Sequence, residues 1–212
     1  KKDSPNLQFF DRSLLILFKY WFNPSFLVLE SIDWSTPANI LEKIIAYEAV
    51  HEINSWDDLR ARLAPKDRKC FAFFHPLMPD EPLIFVEVAL TSDVPESINE
   101  IIKIDRSITL DEDINTAVFY SISNCQDGLS GISFGNFLIK NVVHKLQREN
   151  ECLNRFVTLS PAPNFARWLK EKSINEDMDD DLLLKHALIY LTDSETEDGL
   201  PNDPVAKFHL GN

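Results

Sequence analysis

From Leu7 to Trp21 apolar residues recur at helical spacing until Asn23-Pro24 ends the run, which predicts an N-terminal helix. FLVLESI (Phe26–Ile32) alternates and reads as a strand. Pro37 opens a second helical pattern, ANILEKIIAYEAVH, with Ile40, Leu41, Ile44, Ile45 and Glu48 on its repeat. Ser55 followed by Asp58 has the form of a capping box and predicts a helix over SWDDLRARLA. The texture then changes. KCFAFFH (Lys69–His75) and PLIFVEVALT (Pro82–Thr91) read as buried strands joined by the turn-rich PLMPDEP.

A short helix is expected through SINEII, and TAVFYSIS (Thr116–Ser123) reads as a third strand of this group. The segment GLSGISFGNFLIKNVVHKLQRE follows it. There Leu138, Val142 and Leu146, with Ile139 and Val143, form one apolar stripe, while Lys140, Asn141, His144, Lys145 and Arg148 face elsewhere. RFVTLS (Arg155–Ser160) is a further strand, then come two prolines, a helix over NFARWLKE and a last helix through DLLLKHALIYL. The order predicts an α+β fold: a mixed, mostly antiparallel sheet flanked by helices, with a helical N-terminal lead-in. A strand–loop–helix–strand unit is expected at its centre.

Composition narrows what such a fold can do. The chain has 212 residues, enough for one good core. It contains no apolar run near the ~20 residues of a membrane helix, and Leu14–Phe18 is too short for a signal peptide, so no membrane association is expected. Cys70, Cys125 and Cys152 are odd in number and widely spaced, which fits structural thiols in a reducing compartment; without a CxxC pair, no zinc site is expected. A formal net charge of −13 argues against a nucleic-acid partner, which needs a basic footprint. The acidic runs at Glu176–Asp181 and Asp193–Asp198 read as solvated loops or helix starts.

The chain has only five glycines, and Gly128, Gly131 and Gly135 fall together after a strand and before a helix. Two readings are open: a plain turn, or a loop whose backbone N–H groups receive an anion at a helix N-terminus. The latter would let an acidic chain hold a phosphorylated ligand. The spacing matches neither the GxxxxGK[ST] nor the GxGxxG pattern, so nucleotide hydrolysis and dinucleotide binding are not indicated.

The strand, glycine loop, helix and strand, in that order, resemble the acyl-CoA-binding core of the acetyltransferase superfamily. Four blocks more specifically resemble the malonyl-CoA decarboxylase family: CFAFFHPLMPDEPLIFVEVALT, FYSISNCQDGLSGISFGNFLIKNVVHKL, FVTLSPAPNFARWL and DPVAKFHLGN. The resemblance runs from about Trp21 onward. It implies that residues 1–22 are the tail of an N-terminal helical domain and 23–212 an acyl-CoA-binding catalytic domain, expected to be incomplete at its C-terminal end. It implies that Ser130, Gly131, Ile132, Ser133, Phe134, Gly135 and Asn136 contact the coenzyme A portion of the substrate, and that Ser160 and His209 are catalytic. It further implies malonyl-CoA and acetyl-CoA as substrate and product and a homo-oligomer; no separate cofactor is expected, and the location expected is cytoplasmic, or mitochondrial or peroxisomal in a eukaryote. The chain departs from the pattern at Ser133 and Asn164, where glycine is usual, and in a shorter Ser160–His209 interval.

The chemistry suits these residue types. Loss of CO₂ from malonyl-CoA leaves an enolate whose charge rests on the thioester oxygen, so the substrate carries its own electron sink. A histidine, with an ordinary pKa near 6.5, can return a proton to carbon, and a serine hydroxyl can assist. By themselves Ser160 reads as a turn or helix cap and His209 as a buried or terminal histidine. His75 reads as a strand end; His51, His144 and His186 read as helix-surface or packing residues; Tyr120, Trp168 and the phenylalanines read as core. Two other functions stay open: an acyl-CoA N-acyltransferase, for which Glu87, taken to face out of its strand, is the available base, and a non-catalytic acyl-CoA-binding module.

Overall fold

The computed structural model describes residues 5–129, 132, 134–174, 178–192, 201 and 203–210. Five strands form one sheet in the order β1 (Val28–Ile32), β2 (Arg68–His75), β3 (Met78–Thr91), β4 (Thr116–Asn124), β5 (Arg155–Thr158). Every neighbouring pair is antiparallel except β4–β5, which is parallel. The helices are α1 (Pro5–Trp21), α2 (Ala38–Tyr47), α3 (Trp56–Leu63), α4 (Ile98–Ile102), α5 (Gly135–Glu149), α6 (Phe165–Glu171), α7 (Asp180–Thr192) and α8 (Pro204–Leu210). Contacts divide the chain into Lys1–Leu159, which holds the sheet, and Ser160–Asn212. Among the described residues no helix is long and apolar enough to cross a membrane.

β2, β3 and β4 are apolar on both faces because both faces are covered. On one side Phe71, Phe73, Val86, Val88 and Phe119 pack against Leu138, Val142 and Leu146 of α5. On the other, Cys70, Ala72, Phe74 and Phe85 meet Ile40, Leu41 and Ile44 of α2 and Leu59 and Leu63 of α3. The α5 stripe expected from the sequence is the buried stripe. Leu138 is fully buried at its centre, so Leu138→Ala should cost about 2–5 kcal/mol through lost burial and the cavity left behind; denaturant unfolding measures it.

Several boundaries differ from the sequence expectation. The first strand begins at Val28, because Asn23 caps a 3-10 turn over Pro24–Phe26 through Ser25 N–H. The expected PLMPDEP turn shrinks, since β3 already pairs from Met78, opposite His75. α2 ends at Tyr47, so Glu48 and His51 leave the helix. Ser55 does cap α3 by accepting from Asp58 N–H at 3.1 Å, but the Asp58 carboxylate reaches back to Asn54 N–H rather than to Ser55. β5 stops at Thr158, short of Ser160. The β4–α5–β5 unit lies at one end of the sheet, not at its centre. The helix through DLLLKHALIYL is not the last: α8 follows it.

Among the described residues from Ser160 onward, helices gather around an aromatic cluster. Phe165 and Trp168 of α6 stack at 6.0 Å, and Tyr190 of α7 sits 5.4 and 5.5 Å from them. Tyr190 is buried, and its hydroxyl donates to the buried Asp203 carboxylate.

Candidate active site

The register of β3 and β4 slips at one point: Glu87 faces Ser121 while Val88 faces Phe119, leaving Tyr120 as an extra residue. Such a bulge bends its strand and sharpens its twist. The β4–β5 ladder ends at the same place, with Phe119 opposite Thr158 and Leu159 N–H bonding Phe119 C=O at 2.9 Å. β4 continues to Asn124. Its last five residues therefore have no β5 partner, although Tyr120, Ser121 and Ser123 among them are buried.

The glycine segment lies between that strand end and α5. Ser130, Gly131 and Ser133 lie outside the described residues. Ile132 is half-buried against the core and donates its N–H to Leu129 C=O at 3.0 Å. Phe134 is the buried N-cap of α5 and has no side chain able to cap it; Gly135 is buried and Asn136 half-buried. The helix opens with Leu138 N–H bonded to Phe134 C=O at 2.9 Å. The leading N–H groups of this 15-residue helix are therefore not satisfied by an N-cap side chain, and the positive end of the helix dipole points out of the turn. A Cβ on Gly128 would meet nothing within 4 Å, so close packing does not require that glycine.

The chain brings Ser160 and His209 together across 49 residues: Ser160 Oγ is 2.8 Å from His209 Nε2. Ser160 is exposed, two residues past β5, and does not cap α6, whose N-cap is Asn164. His209 lies half-buried in the last turn of α8, and burial lowers its pKa from the ordinary value. A neutral imidazole can accept the serine proton at Nε2 or donate its own, according to tautomer, so the pair can relay a proton. α8 starts at Asp203-Pro204, where Asp203 Oδ1 accepts Val205 and Ala206 N–H at 2.9 and 3.0 Å. Pro at the first helical position after an Asp cap is a helix-start signal that the sequence reading passed over.

Glu87 does not face out of its strand. It is fully buried and paired with Arg62 at 3.0 Å, and burial, offset in part by Arg62, pushes its pKa up to about 7. Glu48 accepts from Ser121 Oγ at 2.7 Å and from Val50 and His51 N–H. The buried Tyr120 hydroxyl, at the bulge, faces Glu87 in this cluster. His51 sits in the loop after α2 with its ring 6.3 Å from that of Tyr120, and burial lowers its pKa. This polar cluster under the bulge was not visible in the sequence.

Two cavities contrast with these sites. One of about 740 Å³, lined by Phe18, Trp21, Phe22, His75, Leu77 and Leu129, is mostly apolar. Another of about 470 Å³ is lined by Leu29 of β1 and by Asn141, His144, Lys145, Arg148 and Glu149 of α5, with Lys145 paired to Glu149 at 3.0 Å.

Residues 25–186 match the family model of the malonyl-CoA decarboxylase C-terminal domain, a span that includes Ser160 but not His209. The mitochondrial malonyl-CoA decarboxylase of Anser anser anser is 43% identical over 169 residues, covering 79% of this chain and 33% of its own. The crystal structure of malonyl-CoA decarboxylase from Agrobacterium vitis superposes with a TM-score of 0.86 at 49% identity, over 95% of this chain and 56% of that one. This chain thus spans about a third of the length of the first and just over half of the second. The loading GNATL domain of CurA from Lyngbya majuscula shares the fold alone, with a TM-score of 0.56 at 13% identity over 87% of this chain and 82% of that domain. The α+β, acetyltransferase-like architecture expected from the sequence is the observed one, and the chain belongs to the malonyl-CoA decarboxylase family.

Proposed function

We propose that this protein decarboxylates malonyl-CoA to acetyl-CoA and CO₂, with Ser160 and His209 as its proton-transfer pair. The observation that carries this reading is the 2.8 Å Ser160 Oγ–His209 Nε2 contact in a chain of this family. The coenzyme A portion belongs to the segment Ser130–Asn136 and to the start of α5, where backbone N–H groups and the helix dipole serve an anion that the net charge of −13 would repel. The carbon–carbon bond to the carboxylate breaks, CO₂ leaves, and the electron pair moves through the α-carbon onto the thioester oxygen. The proton then comes from the His209–Ser160 pair to the α-carbon, and water restores it. The chemistry needs no metal or organic cofactor, because the thioester accepts the electrons.

Acyl transfer to an amine is the less supported reading, since the base available for it, Glu87, is buried and ion-paired. Purified protein given malonyl-CoA should release CO₂ and acetyl-CoA in equal amounts, at a rate unchanged by a chelator. Acyl transfer to an added amine with no CO₂ would overturn the proposal.

A further inference from the structure

We infer that Asp203 and Tyr190 are positioning residues that hold α8 so that His209 Nε2 meets Ser160, a role that builds on the proposed decarboxylase reading but is measurable apart from it. A seven-residue helix has little stability of its own, and His209 lies in its last turn, where fraying would move the ring most. The first turn is secured instead. The Asp203 carboxylate is fully buried, a costly placement unless its oxygens are occupied. Oδ1 takes the N–H groups of Val205 and Ala206, and Oδ2 takes the Tyr190 hydroxyl, while Lys207 N–H closes on Asp203 C=O at 2.8 Å.

Tyr190 is itself wedged against Phe165 and Trp168 of α6. α6 follows Ser160 by a four-residue connection that includes Pro161 and Pro163. One aromatic cluster thus sets the start of α6 on the serine side, and through one hydrogen bond it sets the start of α8 on the histidine side. Burial, the Asp203 hydrogen bond and the Asp203 charge all push the Tyr190 hydroxyl above its ordinary pKa, so it stays a donor through the working range. Neither group touches the reacting atoms in this arrangement. They act by fixing a distance, and a misplacement of about 1 Å can cost on the order of 100-fold in rate.

The test uses three variants of the whole protein. Asp203→Ala removes both links, Tyr190→Phe removes only the tie to α7, and Asp203→Asn keeps an acceptor for Val205 and Ala206. The chain has five histidines, so imidazole signals can be assigned by single substitutions. NMR titration of His209 reports the Ser160 contact without reference to turnover, with Ser160→Ala as the standard for its loss. Asp203→Ala should move the His209 signals to those of Ser160→Ala. It should also lower kcat about 10- to 100-fold, with KM for malonyl-CoA within about threefold because the coenzyme A groups are elsewhere. Tyr190→Phe should do the same in smaller measure, and Asp203→Asn should restore most of both signals.

If His209 signals and kcat stay at the wild-type values in folded Asp203→Ala or Tyr190→Phe, the inference is wrong. Should Asp203→Ala not fold, Tyr190→Phe decides by the same two readouts. If His209 moves as expected in a protein that never decarboxylates malonyl-CoA, the positioning role stands and the proposed function falls.

Discussion

Replacing His209 by Ala should lower CO₂ release from malonyl-CoA by about 10²- to 10⁴-fold, the usual worth of a positioned proton donor. Ser160→Ala should fall in the same range. The two residues share one 2.8 Å contact and one proton, so their losses should not add. The double variant should be scarcely slower than either single one, as for residues that act as a unit. KM should change little, because neither side chain belongs to the groups assigned to coenzyme A. Steady-state kinetics of the three variants test this, and near wild-type turnover in both singles would remove the pair from the mechanism. Losses that multiplied in the double variant would assign the residues to separate steps.

The second large effect concerns stability. Arg62→Met should cost about 3–5 kcal/mol, because it strips the counter-ion from a fully buried carboxyl group. For a protein of this size that corresponds to a fall in Tm on the order of 10 °C. Replacing both members, Arg62→Met with Glu87→Leu, should recover most of the loss, since a well-packed apolar pair often matches a buried ion pair.

The pH dependence gives a second check with a definite sign. Glu87 is pushed up to about 7 from an ordinary 4.5, chiefly by burial, so the folded state holds its proton more tightly than the unfolded chain. Its contribution to stability is full below about 4.5 and is lost as pH rises through about 7. Measured against the double variant, which lacks the titrating group, the wild-type Tm should decline between pH 5 and 8. A rise over that range would mean that the carboxyl is stabilised in its charged form.

The elements that sequence patterning located well are those with long periodic runs. The buried stripe Leu138–Val142–Leu146, the dense apolar runs of β2 and β3, and the Ser55 cap were all legible, because each follows from neighbours within one or two turns of chain. Errors gathered where a few residues decide. α8 has seven residues, too few to display a period, although Asp203-Pro204 marks its start. Tyr120 belongs to FYSIS, which alternates like an ordinary strand; nothing local reveals that β3 leaves it unpaired. Glu87 reads as the polar face of a strand until Arg62 closes over it.

The site divides in the same way. The sequence by itself determined the layered α+β plan, the glycine turn ahead of α5, and, through family blocks, Ser160 and His209 as residues of interest. Only the tertiary structure decided that these two touch, that α8 hangs from Asp203 and Tyr190, and that the β4 bulge coincides with the end of the β4–β5 ladder. Periodicity reports which side of an element is apolar, a property summed over near neighbours. A hydrogen bond across 49 residues or a one-residue slip in register depends on where whole elements come to rest, and packing sets that position.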